Sequence, residues 1–138
     1  MILLVCTDDR GGMLFNHRRQ SQDRAVREDL LRETAGAKLL MNAYSAGQFG
    51  PDAQIICTEN CLACAGEGEY CFVENLDPCA YSHKIEKVIV YRWNRIYPAD
   101  VSFPLSLKTA PWRLEAVTEF SGSSHEKITK EVYVHENI

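Results

Sequence analysis

Residues 16–24, with the sequence NHRRQSQDR, hold the densest group of side chains in the chain that could bind a ligand or move a proton. The adjacent Arg18 and Arg19 can hold a phosphate or a carboxylate through paired N–H groups. Asn16, Gln20 and Ser21 supply amide and hydroxyl groups that could complete such a site. The alternative is a solvated basic surface, which is the common role of a charged run.

Asp23 is the one carboxylate of this segment, and we predict that it is the catalytic residue. On a helix, Asp23, Val26 and Leu30 share one face. Val26 and Leu30 would face the core, so Asp23 would lie at its rim, where partial burial raises a carboxyl pKa and favours proton donation. The alternative is a first-turn residue that interacts with the helix dipole and pairs with Arg27.

Six cysteines form a second group with possible chemistry: Cys6, Cys57, Cys61, Cys64, Cys71 and Cys79. Cys57, Cys61 and Cys64 have the C-x3-C-x2-C spacing of radical-SAM iron–sulfur sites, and Cys71 could complete a four-thiolate zinc or cluster site. The chain is too short for the barrel of such enzymes. Because Cys57 and Cys71 fall in predicted buried strands, where cysteine acts as a small hydrophobe, we assign no metal ligand.

The histidines favour no catalytic centre at this stage. His125 follows Ser123 and Ser124 in a predicted hairpin, and a Ser–His pair without an orienting third group is weak evidence for a nucleophile. Ribonuclease Z, a label given to some short chains of this type, requires an H-x-H-x-D-H metal cluster. No two histidines of this chain have that spacing, so we reject that activity.

Length and composition restrict the class of protein. A chain of 138 residues allows one domain, residues 1–138, and 15 Lys+Arg against 19 Asp+Glu make nucleic acid an unexpected partner. No apolar run reaches the length of a membrane span, and the first residues do not form a secretory signal. We therefore expect a cytoplasmic protein with no membrane partner.

Apolar runs and breaking residues predict an α/β fold with a mixed sheet and helices on its faces. One helix is expected from Ser21, as its N-cap, to about Ala35, with Gly36 after it. The last two strands read as an antiparallel pair that could also join two copies in a homodimer. The predicted strands cover residues 2–6, 38–41, 53–58, 69–74, 88–91, 112–120 and 127–135.

The ordered series of these stretches resembles the dihydrofolate reductase family. Residues 88–104, VIVYRWNRIYPADVSFP, are similar to the family's apolar strand, hairpin and D-x-x-F-P pattern. Residues 1–13 resemble its first strand and flexible loop, residues 38–41 the strand after its first helix, and residues 112–136 its closing pair of strands. The resemblance implies a single dihydrofolate reductase-like domain.

In that family a helix carboxylate at the rim of the cleft binds the pterin ring. The resemblance makes Asp23 the candidate for this role. An alignment anchored at Thr34, near the helix end, instead places Val26 at the family's acidic position, one turn later.

The chain departs from the family where NADPH binds. The family holds NADPH phosphates with a Gly-Arg-x-Thr turn at a helix start, but this chain has Asn42, Ala43, Tyr44 and Ser45 there. A glycine-rich turn that approaches the pyrophosphate is replaced by residues 74–78, ENLDP, with two carboxylates and no glycine. The usual mode of NADPH binding is therefore expected to be lost.

Three functions follow as hypotheses. The first is the binding of a small anionic nucleotide-like or pterin-like ligand in a cleft between residues 16–24 and the side chains of Asn42, Tyr44 and Ser45. The second is a reductase that holds NADPH in an altered site. The third is a non-catalytic interaction protein or a cysteine-based metal-binding protein. Whether the chain is an enzyme stays open.

Overall fold

A seven-stranded mixed sheet forms the centre of the molecule in a computed structural model that describes residues 1–137. Its strand order is β5-β4-β6-β1-β7-β10-β9. Strand β10 runs antiparallel to both neighbours, and the other pairs are parallel. The strands are β1 (Ile2–Thr7), β4 (Leu39–Met41), β5 (Ile56–Cys57), β6 (Tyr70–Phe72), β7 (Lys87–Arg92), β9 (Trp112–Phe120) and β10 (Ile128–His135).

A second sheet of three short strands lies beside the first, in the order β3-β2-β8. Its strands are β2 (Gly12–Phe15), β3 (Arg18–Arg19) and β8 (Val101–Ser102). The helices are α1 (Arg24–Glu33), α2 (Ala43–Ala46), α3 (Cys61–Cys64) and a 3₁₀ helix at Cys79–Lys84. The predicted α/β fold with a mixed sheet is confirmed.

Both faces of the central sheet are buried, which explains the continuous apolar run in β1. Leu3 and Val5 pack in one core cluster, whereas Ile2 and Leu4 pack in the other. Helix α1 covers the second cluster with Val26 and Leu30, which are 3% and 1% exposed. The predicted core-facing stripe of α1 is therefore confirmed.

Two local predictions are wrong. Helix α1 is capped by Asp23, whose Oδ1 accepts a hydrogen bond from the backbone N–H of Ala25 at 2.8 Å, and not by Ser21. Cys57 is exposed, because β5 has two residues at the edge of the sheet. Cys71, in the interior strand β6, is buried as predicted.

Strand β9 ends the sheet, and its outer edge is unpaired within residues 1–137. Leu114 and Val117 on this strand are 44% and 51% exposed. A homodimer through this edge stays a prediction. No helix of the described chain combines the length and apolar character needed to cross a membrane.

Candidate functional site

A polar concavity of about 430 Å³ opens beside the β2–β3 hairpin. The hairpin turn places Asn16 and His17 at φ of 52° and 63°, and the backbone N–H of Asn16 donates to the Asp100 carboxylate at 3.1 Å. Four predicted ligand-binding residues meet here. The residues that line this concavity are Phe15, Asn16, Arg18, Arg19, Gln20, Tyr97 and Pro98.

The buried carboxylate of Asp8, at the end of β1, fixes one wall of the polar concavity. It accepts hydrogen bonds from the Gln20 side chain at 3.1 Å and from the backbone N–H groups of Gly12 and Tyr97 at 2.8 and 3.1 Å. Burial alone would raise the pKa of Asp8, but these hydrogen bonds outweigh it and lower the pKa. Asp8 therefore stays ionised and ties Gln20 to Tyr97.

Arg19 forms a bidentate ion pair with the buried carboxylate of Glu74. Its Nε lies 2.8 Å from Oε2, and its Nη2 lies 3.1 Å from Oε1. The guanidinium also lies 4.3 Å from the centroid of the Tyr44 ring. The hydrogen bond to Glu74 raises the pKa of Arg19 further. The carboxylate clamp predicted for Arg19 is present, but the chain's own Glu74 fills it.

Tyr44 and Ser45 contact the same ion pair, and Asn42 lies next to Ser45. The Ser45 hydroxyl donates to Glu74 Oε1 at 2.8 Å, and the Tyr44 hydroxyl accepts from the backbone N–H of Arg19 at 2.8 Å. The Asn42 side chain donates to Asn75 at 2.8 Å. Tyr44 contacts Arg19 directly, Ser45 contacts Glu74, and Asn42 is one contact further away. None of the three lines the wall of the polar concavity. Their binding of a ligand stays a prediction.

Arg18 differs from Arg19 because its guanidinium is exposed and forms no ion pair within residues 1–137. It is the cation of the polar concavity that an incoming anion can meet without displacing a carboxylate.

Asp23 is buried and joins the start of α1 to the β9–β10 connection. Its oxygens accept from the backbone N–H groups of Ser123, Ser124 and His125 at 3.0, 2.8 and 3.1 Å, and from the Ser123 hydroxyl at 3.0 Å. His125 Nδ1 lies 2.9 Å from Oδ2. No ion pair joins Asp23 to Arg27 in the described chain, and Arg27 instead donates to Gln22.

These donors decide the ionisation of Asp23. Burial would raise its pKa, but hydrogen bonds from Ser123, His125 and Ser124 outweigh burial and hold the pKa well below its ordinary value. The expectation that burial leaves Asp23 with a raised pKa is therefore wrong. Direct participation of Asp23 in proton transfer remains a sequence-based prediction.

Ser21, Tyr97 and Trp93 surround the His125 ring. The hydroxyls of Ser21 and Tyr97 lie 3.0 and 2.9 Å from Nε2. The Trp93 ring stacks on the imidazole with centroids 4.7 Å apart and planes 20° apart. Sequence reasoning missed this group, because it compared His125 with its neighbours Ser123 and Ser124, whereas the hydroxyl at Nε2 comes from residue 21.

No family model and no curated protein sequence matches the chain. Among solved structures, it is similar to dihydrofolate reductase from Enterococcus faecalis complexed with NADP(H) and RAB-propyl, with a TM-score of 0.68. The match covers 99% of this chain and 96% of the other chain, at 12% identity. The chain has the dihydrofolate reductase fold. At this identity the similarity shows the fold alone.

Two helix starts in this dihydrofolate reductase fold carry carboxylates on their first backbone amides. The backbone N–H of Ala43, which begins α2, donates to Glu59 at 2.9 Å. The backbone N–H of Cys79, which begins the 3₁₀ helix, donates to Asp77 at 2.9 Å and lowers the pKa of Asp77. Both positions are therefore occupied by negative groups of the chain itself.

The cysteines do not converge on one point. Cys61 and Cys71 are buried in the same core cluster, and the neighbouring Cys61 thiol together with burial raises the pKa of Cys71. Cys57 and Cys64 are exposed. Within the described part of the chain, no three His, Cys, Asp or Glu side chains gather closely enough to hold a metal ion.

Proposed function

We propose that this chain uses the dihydrofolate reductase fold to bind a small anionic nucleotide-like or pterin-like ligand, and that it does not bind NADPH in the family's usual mode. The observation that carries this proposal is the pair of carboxylates on the helix starts, Glu59 at Ala43 and Asp77 at Cys79. The resemblance to the family assigns the NADPH phosphates to these two regions.

A phosphate at either helix start would meet two costs. It would have to replace a carboxylate that already accepts the backbone N–H, and the displaced carboxylate would remain nearby as a like charge. The ion pair of Glu74 with Arg19 strengthens this argument, because the Arg19 guanidinium contacts Tyr44 of α2 and is already paired when a phosphate arrives.

The polar concavity offers a different position for an anion. Arg18 supplies a guanidinium without an ion pair in the described chain, and Asn16 and Gln20 supply amide groups. Tyr97 supplies an aromatic ring on which a planar base or pterin can stack. A ligand with one negative group and one flat ring fits this combination.

Thermal unfolding with added ligands tests the proposal. The ligands are AMP, GMP, dihydrofolate, NADP+ and NADPH, with the wild-type chain and the variants Arg18→Ala and Arg32→Ala. A ligand at 100 times its Kd adds about 2.7 kcal/mol, which raises the Tm by several degrees. We expect a mononucleotide or dihydrofolate to do so, and Arg18→Ala to weaken its binding about tenfold, since a charge-assisted hydrogen bond is lost.

Arg32→Ala is the matched control, because it removes an equal charge from an exposed residue in the last turn of α1. Its binding should equal that of the wild type. Stabilisation by NADPH would contradict the proposed loss and favour the reductase hypothesis, which an assay of NADPH oxidation would then examine. A chain that no ligand stabilises would contradict the proposal as a whole.

Glu74→Gln provides a second test at the same site. This change removes the charge that neutralises Arg19 and leaves a guanidinium beside the polar concavity. We expect several-fold tighter binding of the mononucleotide or dihydrofolate, together with a loss of about 1–3 kcal/mol in folding stability from the broken buried contacts. Calorimetric titration and denaturant unfolding measure the two effects. Unchanged affinity in the folded variant would place the ligand away from Arg19.

A further inference from the structure

Three residues that are distant in sequence meet in a line of hydrogen bonds at the start of α1. The Ser21 hydroxyl lies 3.0 Å from His125 Nε2, and His125 Nδ1 lies 2.9 Å from Asp23 Oδ2. We propose that Ser21 is a nucleophilic serine, with His125 as its general base and Asp23 as a positioning residue, and that it accepts the acyl group of a small carboxylic ester. This activity goes beyond the proposed binding of an anion.

The protonation of the line follows from the Asp23 carboxylate. Hydrogen bonds keep Asp23 ionised, and an ionised carboxylate can only accept. His125 Nδ1 therefore carries a proton and donates it to Asp23. In the neutral ring Nε2 then holds one lone pair, which can accept the hydroxyl proton of Ser21, at 3.0 Å, or that of Tyr97, at 2.9 Å. This is the tautomer that a Ser–His–Asp triad uses.

Several contacts fix the orientation of the His125 imidazole. His125 is 4% exposed, Trp93 stacks on its ring, and its own backbone N–H also donates to Asp23. Such fixation is the contribution that a third group makes to a base, because it removes the cost of orienting the ring.

No capping or packing role accounts for the position of the Ser21 hydroxyl. Asp23 caps α1, so the predicted capping role of Ser21 is absent. Within residues 1–137, the Ser21 hydroxyl hydrogen-bonds only to His125. The backbone N–H of Gln22, directly after Ser21, donates to no acceptor in the described chain, and such an N–H can stabilise an oxyanion.

Ser21 is partly exposed, so a substrate can reach it from solvent. The residue before it, Gln20, lines the polar concavity, but Ser21 and His125 do not. Tyr97 lines it too, and the Tyr97 hydroxyl shares Nε2 with Ser21.

The proposed step needs no group beyond the ester and water. Ser21 Oγ attacks the carbonyl carbon of the ester as its proton passes to His125 Nε2, which gives a tetrahedral oxyanion. The bond from carbon to the leaving oxygen then breaks, and His125 returns the proton to the departing alcohol. Water attacks the acyl-serine by the same route, which releases the carboxylic acid and restores Ser21.

A fluorophosphonate probe tests the nucleophile directly, because it phosphonylates activated serines. Intact-mass measurement and peptide mapping should find one phosphonyl group on Ser21 of the folded wild-type chain. Ser21→Ala should take up none. The matched control Ser102→Ala removes an exposed hydroxyl on β8 and should react like the wild type. Heat-denatured chain should not react, since the serine then lacks its base.

His125→Gln tests the base. We expect labelling at least about 100-fold slower, as when a triad member is removed. If this variant does not fold, the burst of nitrophenol released from p-nitrophenyl acetate decides instead: one equivalent from the wild type and none from Ser21→Ala. Absence of labelling in the folded wild-type chain, persistence of labelling in Ser21→Ala, or an equal rate in folded His125→Gln would overturn the proposal.

Two separate readouts distinguish this inference from the proposed function. Labelling of Ser21 is read by mass on the chain with no nucleotide or folate added, whereas anion binding is read by thermal unfolding, so a failure of one is observed independently of the other. Arg32→Ala, the exposed-charge control, should be labelled like the wild type.

Discussion

At the scale of single residues, Asp23 connects two parts of the chain that are about a hundred residues apart. One of its oxygens caps α1, and both oxygens accept donors from residues 123–125. A buried carboxylate is tolerated when its lone pairs are satisfied in this way. The same contacts hold His125 beside Ser21, so the stability of the fold and the proposed chemistry depend on one side chain.

Asp23→Asn tests this dependence. The amide nitrogen of asparagine would face the backbone N–H groups that now point at the carboxylate, and donors facing donors remain unpaired. We expect the free energy of unfolding to fall by about 2–4 kcal/mol, from the lost cap and the buried unsatisfied groups. Denaturant unfolding at pH 7 measures this loss. Asp52→Asn, at an exposed loop residue, should change stability by less than about 0.5 kcal/mol, and equal losses in both variants would contradict the assigned role.

The sequence predicted that Asp23 lies on the buried side of α1 but not the direction of its pKa shift. Its place on the face of Val26 and Leu30 was sufficient to predict burial, and burial raises a carboxyl pKa. The donors that reverse this effect come from residues 123–125, whose approach depends on the tertiary fold. For the same reason, the pairing of Ser21 with His125 could not be predicted from spacing along the chain.

At the scale of elements, the connection between β9 and β10 packs tightly against Asp23 at Gly122. A Cβ atom on Gly122 would lie 2.5 Å from the carbonyl oxygen of His125 and 2.7 Å from Asp23 Oδ2. The first of these neighbours is backbone, which cannot move without shifting the connection. Glycine at this position therefore allows the connection to approach Asp23 closely.

Gly122→Ala should push the connection away from α1. We expect a loss of about 1–3 kcal/mol in folding stability, which is the typical cost of overpacking. Labelling of Ser21 by the fluorophosphonate should slow in parallel, because His125 moves with the connection. Gly50→Ala is the matched control, since a Cβ there meets no atom within 4 Å. Thermal unfolding of both variants checks the expectation, and an unperturbed Gly122→Ala would show that the connection is looser than the structure indicates.

Elements with strong local signals were predictable, and those defined by their neighbours were not. The apolar runs of β1 and β7 specify strands from local sequence alone, and the turn at residues 121–124 separates the two strands of the β9–β10 pair. Residues 53–58 have a similar apolar run, but only Ile56–Cys57 pairs with the sheet, at its edge. The sequence contains no sign of an edge position, so the predicted burial of Cys57 failed while that of Cys71 held.

At the scale of the whole molecule, ionisable groups inside the fold set the pH range of stability. Buried or half-buried carboxylates have lowered pKa values despite the cost of burial, because hydrogen bonds or ion pairs outweigh it. These groups are Asp8, Asp23, Asp29 and Glu131. Burial also raises the pKa of two groups that titrate at alkaline pH, Cys6 and Tyr91. The charge of Glu74 raises the pKa of Cys6 further, and the hydrogen bond to Asp29 raises the pKa of Tyr91 further.

The two sets limit stability from opposite sides. A carboxyl pKa that is lower in the folded than in the unfolded chain contributes stability above the unfolded pKa of about 4, and this contribution is lost as the pH falls. A raised thiol or phenol pKa contributes below the unfolded value of about 8.5–10, and this contribution is lost as the pH rises. The Tm should therefore form a plateau between about pH 5 and 8, with a decline on each side.

Thermal unfolding from pH 3 to pH 10 at constant ionic strength measures both limbs. Asp23→Asn should flatten the acid limb, since its side chain no longer titrates, and should leave the alkaline limb unchanged. Cys6→Ser should flatten the alkaline limb instead, because a hydroxyl does not ionise in this range. A wild-type chain that gains stability as the pH falls below 4 would contradict this expectation. It would show that water stabilises the carboxylates of the unfolded chain more than hydrogen bonds stabilise them in the fold. The basis for an ionised Asp23 beside His125 would then be lost.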